Sequence, residues 1–224
     1  MFEAVTQSAQ AVQALERAIL RGELEPGKPL RIQDLSRQFG IGATPLREGL
    51  SRLVSRGQVQ LISNAGFRVA EISASDLDDI LRVRTLVELE ALEASIDQGD
   101  SKWEAGIVAA LHQLRSFESK ARNEAEGNQQ FDDLHKSFHT SMLAACGSPR
   151  LLALHSDLYN QAFRYRMVML NKVGNHAKVA DVHVELAQMV LDRDKAAATK
   201  VLREHIQLTA RLYASVTPKS GKKH

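Results

Sequence analysis

The sequence predicts a mainly α protein: an N-terminal winged helix-turn-helix followed by a C-terminal antiparallel all-helical bundle. Three observations carry this. Ala, Leu, Glu, Gln and Arg dominate the 224 residues, while Gly (13) and Pro (5) are scarce, a helix-forming composition. Apolar residues recur at helical spacing along most of the chain. In one short stretch, residues 59–69, the period falls to two, the mark of a hairpin.

The composition also excludes. Apolar residues at 44% and charged residues at 25% are ordinary for a globular protein with a sizeable core. No apolar run approaches the ~18–20 residues of a membrane span, so no membrane partner is expected. The start, MFEAVTQSAQ, lacks a basic segment followed by an apolar one and does not read as a secretion signal. The single cysteine, Cys146, rules out an internal disulfide framework and fits a reducing, cytoplasmic setting.

Three domains are expected: residues 1–72, residues 73–216 and a disordered basic tail, 217–224. In the first, Ala11, Leu15, Ala18 and Ile19 mark a helix over residues 7–21 that ends before Gly22. Glu25-Pro26-Gly27-Lys28 is a turn. A short helix begins at Asp34, turns Leu35 and Phe39 inward and stops at Gly40. Thr44 then reads as an N-cap with Pro45 at the first helical position. The third helix runs to about Ser55, burying Leu46, Leu50, Leu53 and Val54 and showing Arg47, Ser51 and Arg52 on its other face. Val59 and Leu61 alternate into a turn at Ser63-Asn64-Ala65-Gly66, and Phe67 and Val69 alternate back. Two helices joined by a tight turn and followed by a hairpin form a winged helix-turn-helix, whose second helix enters the DNA major groove.

The formal net charge is only +2, but it is unevenly spread. Between Arg31 and Arg68, six arginines stand against Asp34 and Glu48. A local basic face on a near-neutral chain is the footprint of a nucleic-acid binder, and equally of a solvated arginine-bearing helix.

The run Ile19-Leu20-Arg21-Gly22-Glu23-Leu24-Glu25-Pro26-Gly27, then Leu35, Phe39-Gly40-Ile41, Thr44-Pro45-Leu46-Arg47-Glu48 and Leu53, resembles the GntR family signature. Asn64-Ala65-Gly66-Phe67-Arg68-Val69 resembles that family's wing. The resemblance implies DNA contact by Thr44 and Arg47 and wing approach at Gly66; Arg52 and Arg68 complete the expected set. Where the family has Ser or Thr and then Arg before Thr-Pro, this chain has Gly42 and Ala43. Arg47 can chelate a guanine edge or a phosphate, whereas Ala43 offers only an apolar contact, so a shifted operator preference is expected. One helix reads few base pairs, and a homodimer on a pseudo-palindromic double-stranded operator is the usual remedy.

After Ile72, Ser73 or Ser75 caps a long helix whose stripe is Leu77, Ile80, Leu81, Leu86, Val87 and Ala91, broken at Asp97-Gln98-Gly99-Asp100. Further helices are expected to about Glu126, from Gln130 through Cys146, from Leu151 to about Lys172, over Val179–Leu191 and over Lys195–Val216, with Asp194 capping the last.

Chemistry in this half lies in the histidines. His135 and His139, four apart, share one helix face. His183 and His205 would be ~33 Å apart on one continuous helix, but a fold-back at Asp194 brings them level. Four imidazoles from three helices can then converge inside a bundle. Taken singly, each also fits an ordinary hydrogen-bonded or surface histidine.

Phe138-His139-Thr140-Ser141-Met142-Leu143, then His183, and Gln188 through Asp194-Lys195-Ala196-Ala197 to His205 resemble the FCD effector domain of the FadR-like GntR subfamily. Its metal-binding members present an Asp or Asn four residues before the first of three histidines. The resemblance implies His139, His183 and His205 as ligands, with His135 in the carboxylate position. Asp132 shares that face, as a further ligand or as a group orienting an imidazole. Replacing a carboxylate by a neutral imidazole leaves a dication less compensated and moves preference towards Zn or Ni. Such a site should recruit an anion. Arg84, followed by Glu88, resembles the family arginine that meets a small organic acid effector; the same spacing fits a surface pair between the two. Arg164 and Arg166 are further anion candidates.

Two function classes follow. One is a transcriptional regulator whose helical domain binds a metal and senses a small carboxylate, or carries a purely structural metal. The other is a helical-bundle metalloenzyme activating water or dioxygen at four histidines. The second finds no acid beside the histidines obviously poised as a base, and has no use for a winged helix.

Overall fold

The computed structural model describes residues 6–118, 125–173 and 177–216. The chain divides into two compact units, Met1–Ser73 and Ala74–His224. The expected tail, 217–224, lies outside the described residues, as do His176 and His224.

In the first unit α1 (Gln7–Leu20) is capped by Thr6, whose hydroxyl accepts from the Ala9 N–H at 3.2 Å. A two-residue strand β1 (Pro29–Leu30) precedes α2 (Ile32–Phe39) and α3 (Ala43–Ser55). The hairpin is β2 (Val59–Ile62) and β3 (Gly66–Val69), and the antiparallel sheet order is β1-β3-β2. Ala11, Leu15, Ile19, Leu35, Leu46, Leu50, Leu53, Val59 and Val69 form one core. At Gly49 a Cβ would meet the Ala11 Cβ and the Val12 nitrogen at 3.2 Å, so α1 and α3 pack almost backbone to backbone.

Several expectations need correction. α3 begins at Ala43 with Gly42 as its cap, not at Pro45 behind Thr44. Proline is tolerated throughout a first turn because those N–H groups have no intrahelical acceptor, so Pro45 does not fix the start. α2 begins at Ile32, and Asp34 sits inside its first turn, bonded to Arg37 at 2.6 Å. The strand β1 went unread because two residues carry no periodicity; Leu30 pairs with Phe67 and Pro29 with Arg68. Leu61 is 63% exposed, and Phe39, Val54 and Phe67 are half-buried. The base of the hairpin, the Val59–Val69 pair, is fully buried, and Phe67 packs half-buried against the same core.

Among the described residues the second unit holds six helices: α4 (Ala74–Gln98), α5 (Ser101–Glu118), α6 (Ala125–Leu143), α7 (Pro149–Val173), α8 (Ala177–Leu191) and α9 (Lys195–Val216). The Asp100 carboxylate accepts from the Trp103 N–H at 2.8 Å at the start of α5, and Asp194 from the Ala197 N–H at 2.9 Å at the start of α9. Arg193, at φ +60, turns the chain between α8 and α9. Its guanidinium donates to the Ile96 and Gly99 carbonyls at 2.6 and 2.9 Å, tying this turn to the one between α4 and α5.

Leu86, expected in the apolar stripe of α4, is exposed; Arg84, Thr85 and Glu88 are buried instead. Leu77, Ile80, Leu81 and Ala91 are buried as expected and Val87 is half-buried, so the stripe departs only at Leu86, where the helix turns charge inward. The expected break near Glu126 falls inside α6, whose described part spans Ala125–Leu143 and stops short of Cys146; residues 119–124 lie outside the described residues. No helix is long and apolar enough to cross a membrane among the described residues.

Candidate metal centre

His135 and His139 project from one face of α6, His183 from α8 and His205 from α9. All four are buried, and one nitrogen from each lies within 4.8 Å of the others. The Nε2 atoms of His139 and His205 are 3.2 Å apart. The His183 ring centroid lies 4.8 Å from that of His135 and 4.9 Å from that of His205. The fold-back at Asp194 is what brings the last two level.

Burial, then the mutual repulsion of neighbouring imidazoles, pushes the pKa values of His135, His139 and His205 well below the ordinary value. They are therefore neutral at pH 7, the form that binds a cation. His139 and His205 each have a buried Nδ1 without a hydrogen-bond partner, and His183 has none at either nitrogen. Orphaned buried nitrogens are costly, and four neutral imidazoles that each bring one nitrogen within 4.8 Å of the others fit a divalent ion. The donor set suits zinc or nickel better than an ion preferring oxygen.

A shell of charge surrounds the imidazoles. Tyr159, on α7, places its hydroxyl 2.5 Å from His135 Nδ1 and 3.3 Å from Asp132 Oδ1. The consistent assignment has His135 Nδ1–H donating to the phenol and the phenol donating to Asp132, leaving His135 Nε2 with its lone pair. Asp132 also accepts from Arg166 Nε at 2.9 Å; burial pushes its carboxyl up against the pull of that arginine. Asp132 thus stands behind an imidazole, acting on it through a tyrosine.

Glu88, fully buried on α4, accepts from Arg84 Nε at 2.5 Å and from His155 Nδ1 at 2.8 Å. His155 Nε2 lies 3.2 Å from the Thr140 hydroxyl. Burial raises the Glu88 carboxyl, but Arg84 and His155 outweigh it and hold the pKa at about 2. An acid does lie beside the histidines, with Glu88 Oε2 3.8 Å from His139 Nδ1, but it is already paired with Arg84. Arg84 does pair with Glu88, yet inside the bundle rather than on its surface.

Arg84 and Arg166 hold their guanidinium carbons 4.8 and 4.1 Å from the Tyr159 ring centroid. Each keeps one buried nitrogen, Nη2 and Nη1 respectively, without an acceptor. Arg164 is buried elsewhere, near Tyr165 and Asp76. Sequence reasoning missed Tyr159 and His155; their four-residue spacing on α7, which puts both on one face, was the available signal.

In the winged unit Thr44, Arg47 and Arg52 are exposed on α3, and Arg47 and Arg52 form no ion pair among the described residues. Arg37 and Arg56 do, with Asp34 and Glu16. Gly66, at φ +79, opens β3, and Arg68 beside it is half-buried.

Residues 7–69 match the family described as bacterial regulatory proteins, gntR family, and residues 79–208 match the FCD domain. The HTH-type transcriptional repressor GlaR of Escherichia coli (strain K12) is 34% identical over 196 residues, 86% of this chain and 89% of that protein. This chain belongs to the GntR family. An uncharacterized HTH-type regulator of Paraburkholderia xenovorans (strain LB400), BphR, is 32% identical and similarly covered, at 87% of this chain and 80% of that protein. Among solved structures, E. coli McbR/YncC superposes with a TM-score of 0.79 at 23% identity, covering 96% of this chain and 100% of that one. The last likeness concerns fold alone. This GntR-type chain, with its FCD domain, is a DNA-binding transcriptional regulator and not an enzyme.

Proposed function

We propose that this regulator acts in the cytoplasm as a homodimer on a pseudo-palindromic operator and senses a small carboxylate at a metal-bearing centre. α3 presents Thr44, Arg47 and Arg52 to the major groove, and the wing brings Gly66 and Arg68 to the backbone or minor groove. His135, His139, His183 and His205 hold one divalent transition metal, zinc or nickel. When bound, the ion supplies a positive centre that an anionic oxygen can complete. Arg84, and beside it Arg166, offer the carboxylate their remaining N–H donors, while Tyr159 keeps the two guanidiniums in place.

One observation carries this reading: four buried imidazoles, three of them with orphaned nitrogens, converge beside two guanidiniums that each retain an unpartnered donor. A carboxylate bridging α4, α7 and the histidine helices favours one packing of the bundle. It changes DNA affinity only by its differential affinity for the two packings, typically ~1–3 kcal/mol.

The test is operator titration of metal-loaded and chelated protein, with and without small mono- and dicarboxylates found by thermal shift. Operator affinity that responds to a carboxylate only in metal-loaded protein supports the reading. If affinity is indifferent to every stabilising ligand, the metal is structural and the sensing half of the proposal fails.

A further inference from the structure

Three of the four imidazoles have an acid behind Nδ1. His135 reaches Asp132 through the Tyr159 hydroxyl. His139 Nδ1 lies 3.8 Å from Glu88 Oε2, and His183 Nδ1 lies 3.7 Å from Glu118 Oε1, at the C-terminal end of α5. In the last two pairs both facing atoms are buried, and neither has a hydrogen-bond partner.

The three acids are not equivalent. Asp132 is paired with Arg166 and Glu88 with Arg84, so each is already neutralised. Glu118 forms no ion pair with a lysine or arginine among the described residues, and the group facing it is an imidazole with both nitrogens orphaned. A carboxylate oxygen buried without a donor is expensive, and so is a buried ring N–H without an acceptor. Both costs disappear if His183 takes the Nδ1–H tautomer and donates to Glu118, a closure of under about 1 Å to hydrogen-bond distance. That tautomer leaves Nε2 as the metal-binding lone pair.

We propose that Glu118 is a positioning residue for His183: it receives the Nδ1–H, fixes the ring with Nε2 facing the ion, and supplies negative charge one shell outside it. This charge offsets the dication at a centre whose four candidate ligands are all neutral imidazoles. Glu118 thereby raises the basicity of the imidazole and holds a dication that neutral ligands alone leave uncompensated. The inference rests on the metal reading above, and goes beyond it in naming a residue that touches no ion.

The test uses full-length protein stripped of metal, titrated with zinc against a chromophoric chelator, and separately loaded with cobalt(II) for its visible spectrum. Glu118→Gln keeps the shape and one acceptor oxygen but loses the charge; Glu118→Ala loses both. Zinc affinity is expected to fall about 10–100-fold in Glu118→Ala and by less in Glu118→Gln. The cobalt bands should shift in both, while the metal-free proteins lose less stability than the metal-loaded ones. Should Glu118→Ala not fold, Glu118→Gln alone carries the test. Wild-type zinc affinity and an unshifted cobalt spectrum in the variants overturn the proposal. So does a loss of affinity matched by an equal loss of metal-free stability, which makes Glu118 merely structural. Wild-type protein that takes up no divalent ion overturns the metal reading itself, and the proposal with it.

Discussion

Arg84 donates from Nε to Glu88 Oε1 at 2.5 Å in a place where neither side chain meets solvent. A pair so placed contributes little as a unit and costs much when halved, because the remaining ion is buried without compensation.

Arg84→Met should therefore destabilise the helical unit by roughly 3–5 kcal/mol. The double variant Arg84→Met with Glu88→Gln should recover most of that loss. Denaturant unfolding of both, with wild type and Glu88→Gln, closes the cycle. A double variant no more stable than Arg84→Met would deny the coupling. Effector binding is best compared in the double variant, where lost affinity is not confused with lost structure.

Purified protein should contain zinc or nickel at close to one ion per chain, and His183→Ala should lose it. Elemental analysis after dialysis decides this, and unchanged metal content in the variant would remove His183 from the ligand set.

For DNA, Arg47→Ala should weaken specific binding by ~1–3 kcal/mol if the guanidinium grips a base edge. The measurement is operator against random duplex at one salt concentration. Equal binding of both duplexes by variant and wild type would place recognition elsewhere on the winged unit.

Metal-free protein should lose stability on mild acidification. The folded-state pKa values of His135, His139 and His205 are depressed by burial, while unfolded imidazoles titrate near ~6.5. The unfolded chain thus binds more protons below that value. The stability these groups contribute is present above about pH 6.5 and is lost progressively below it. Urea midpoints of metal-free protein at pH 7.5 and pH 5.5 should differ accordingly; identical midpoints would show the rings to be protonated or solvated in the fold.

Much of this was legible in the residues. The winged helix-turn-helix was readable because its elements are short and each is punctuated, by Gly40, Gly42 and the Ser63–Gly66 turn. The histidine cluster was readable because two partners share a helix face and the other two are balanced about Asp194. What sequence patterns could not convey is which way a polar residue points when the bundle interior is itself polar. Leu86 reads as part of the buried stripe of α4 and is exposed, while the spacing of Arg84 and Glu88 fits a surface pair as well as the buried one that forms. Glu118 and Tyr159 went unread for a related reason: each matters through a partner on another helix, and their own spacing does not name that partner.

The four imidazoles come from α6, α8 and α9, with the whole of α7 and the Arg193–Asp194 turn between them. An ion gripping all four would tie distant stretches of chain into closed loops, as a cross-link does, and so penalise the unfolded ensemble. The core of the winged unit is drawn from residues 11–69 and contains none of the four histidines. Scarcity of the metal would then shorten the life of the regulator in the presence of proteases, and the cell would read its metal supply in how much of this protein survives.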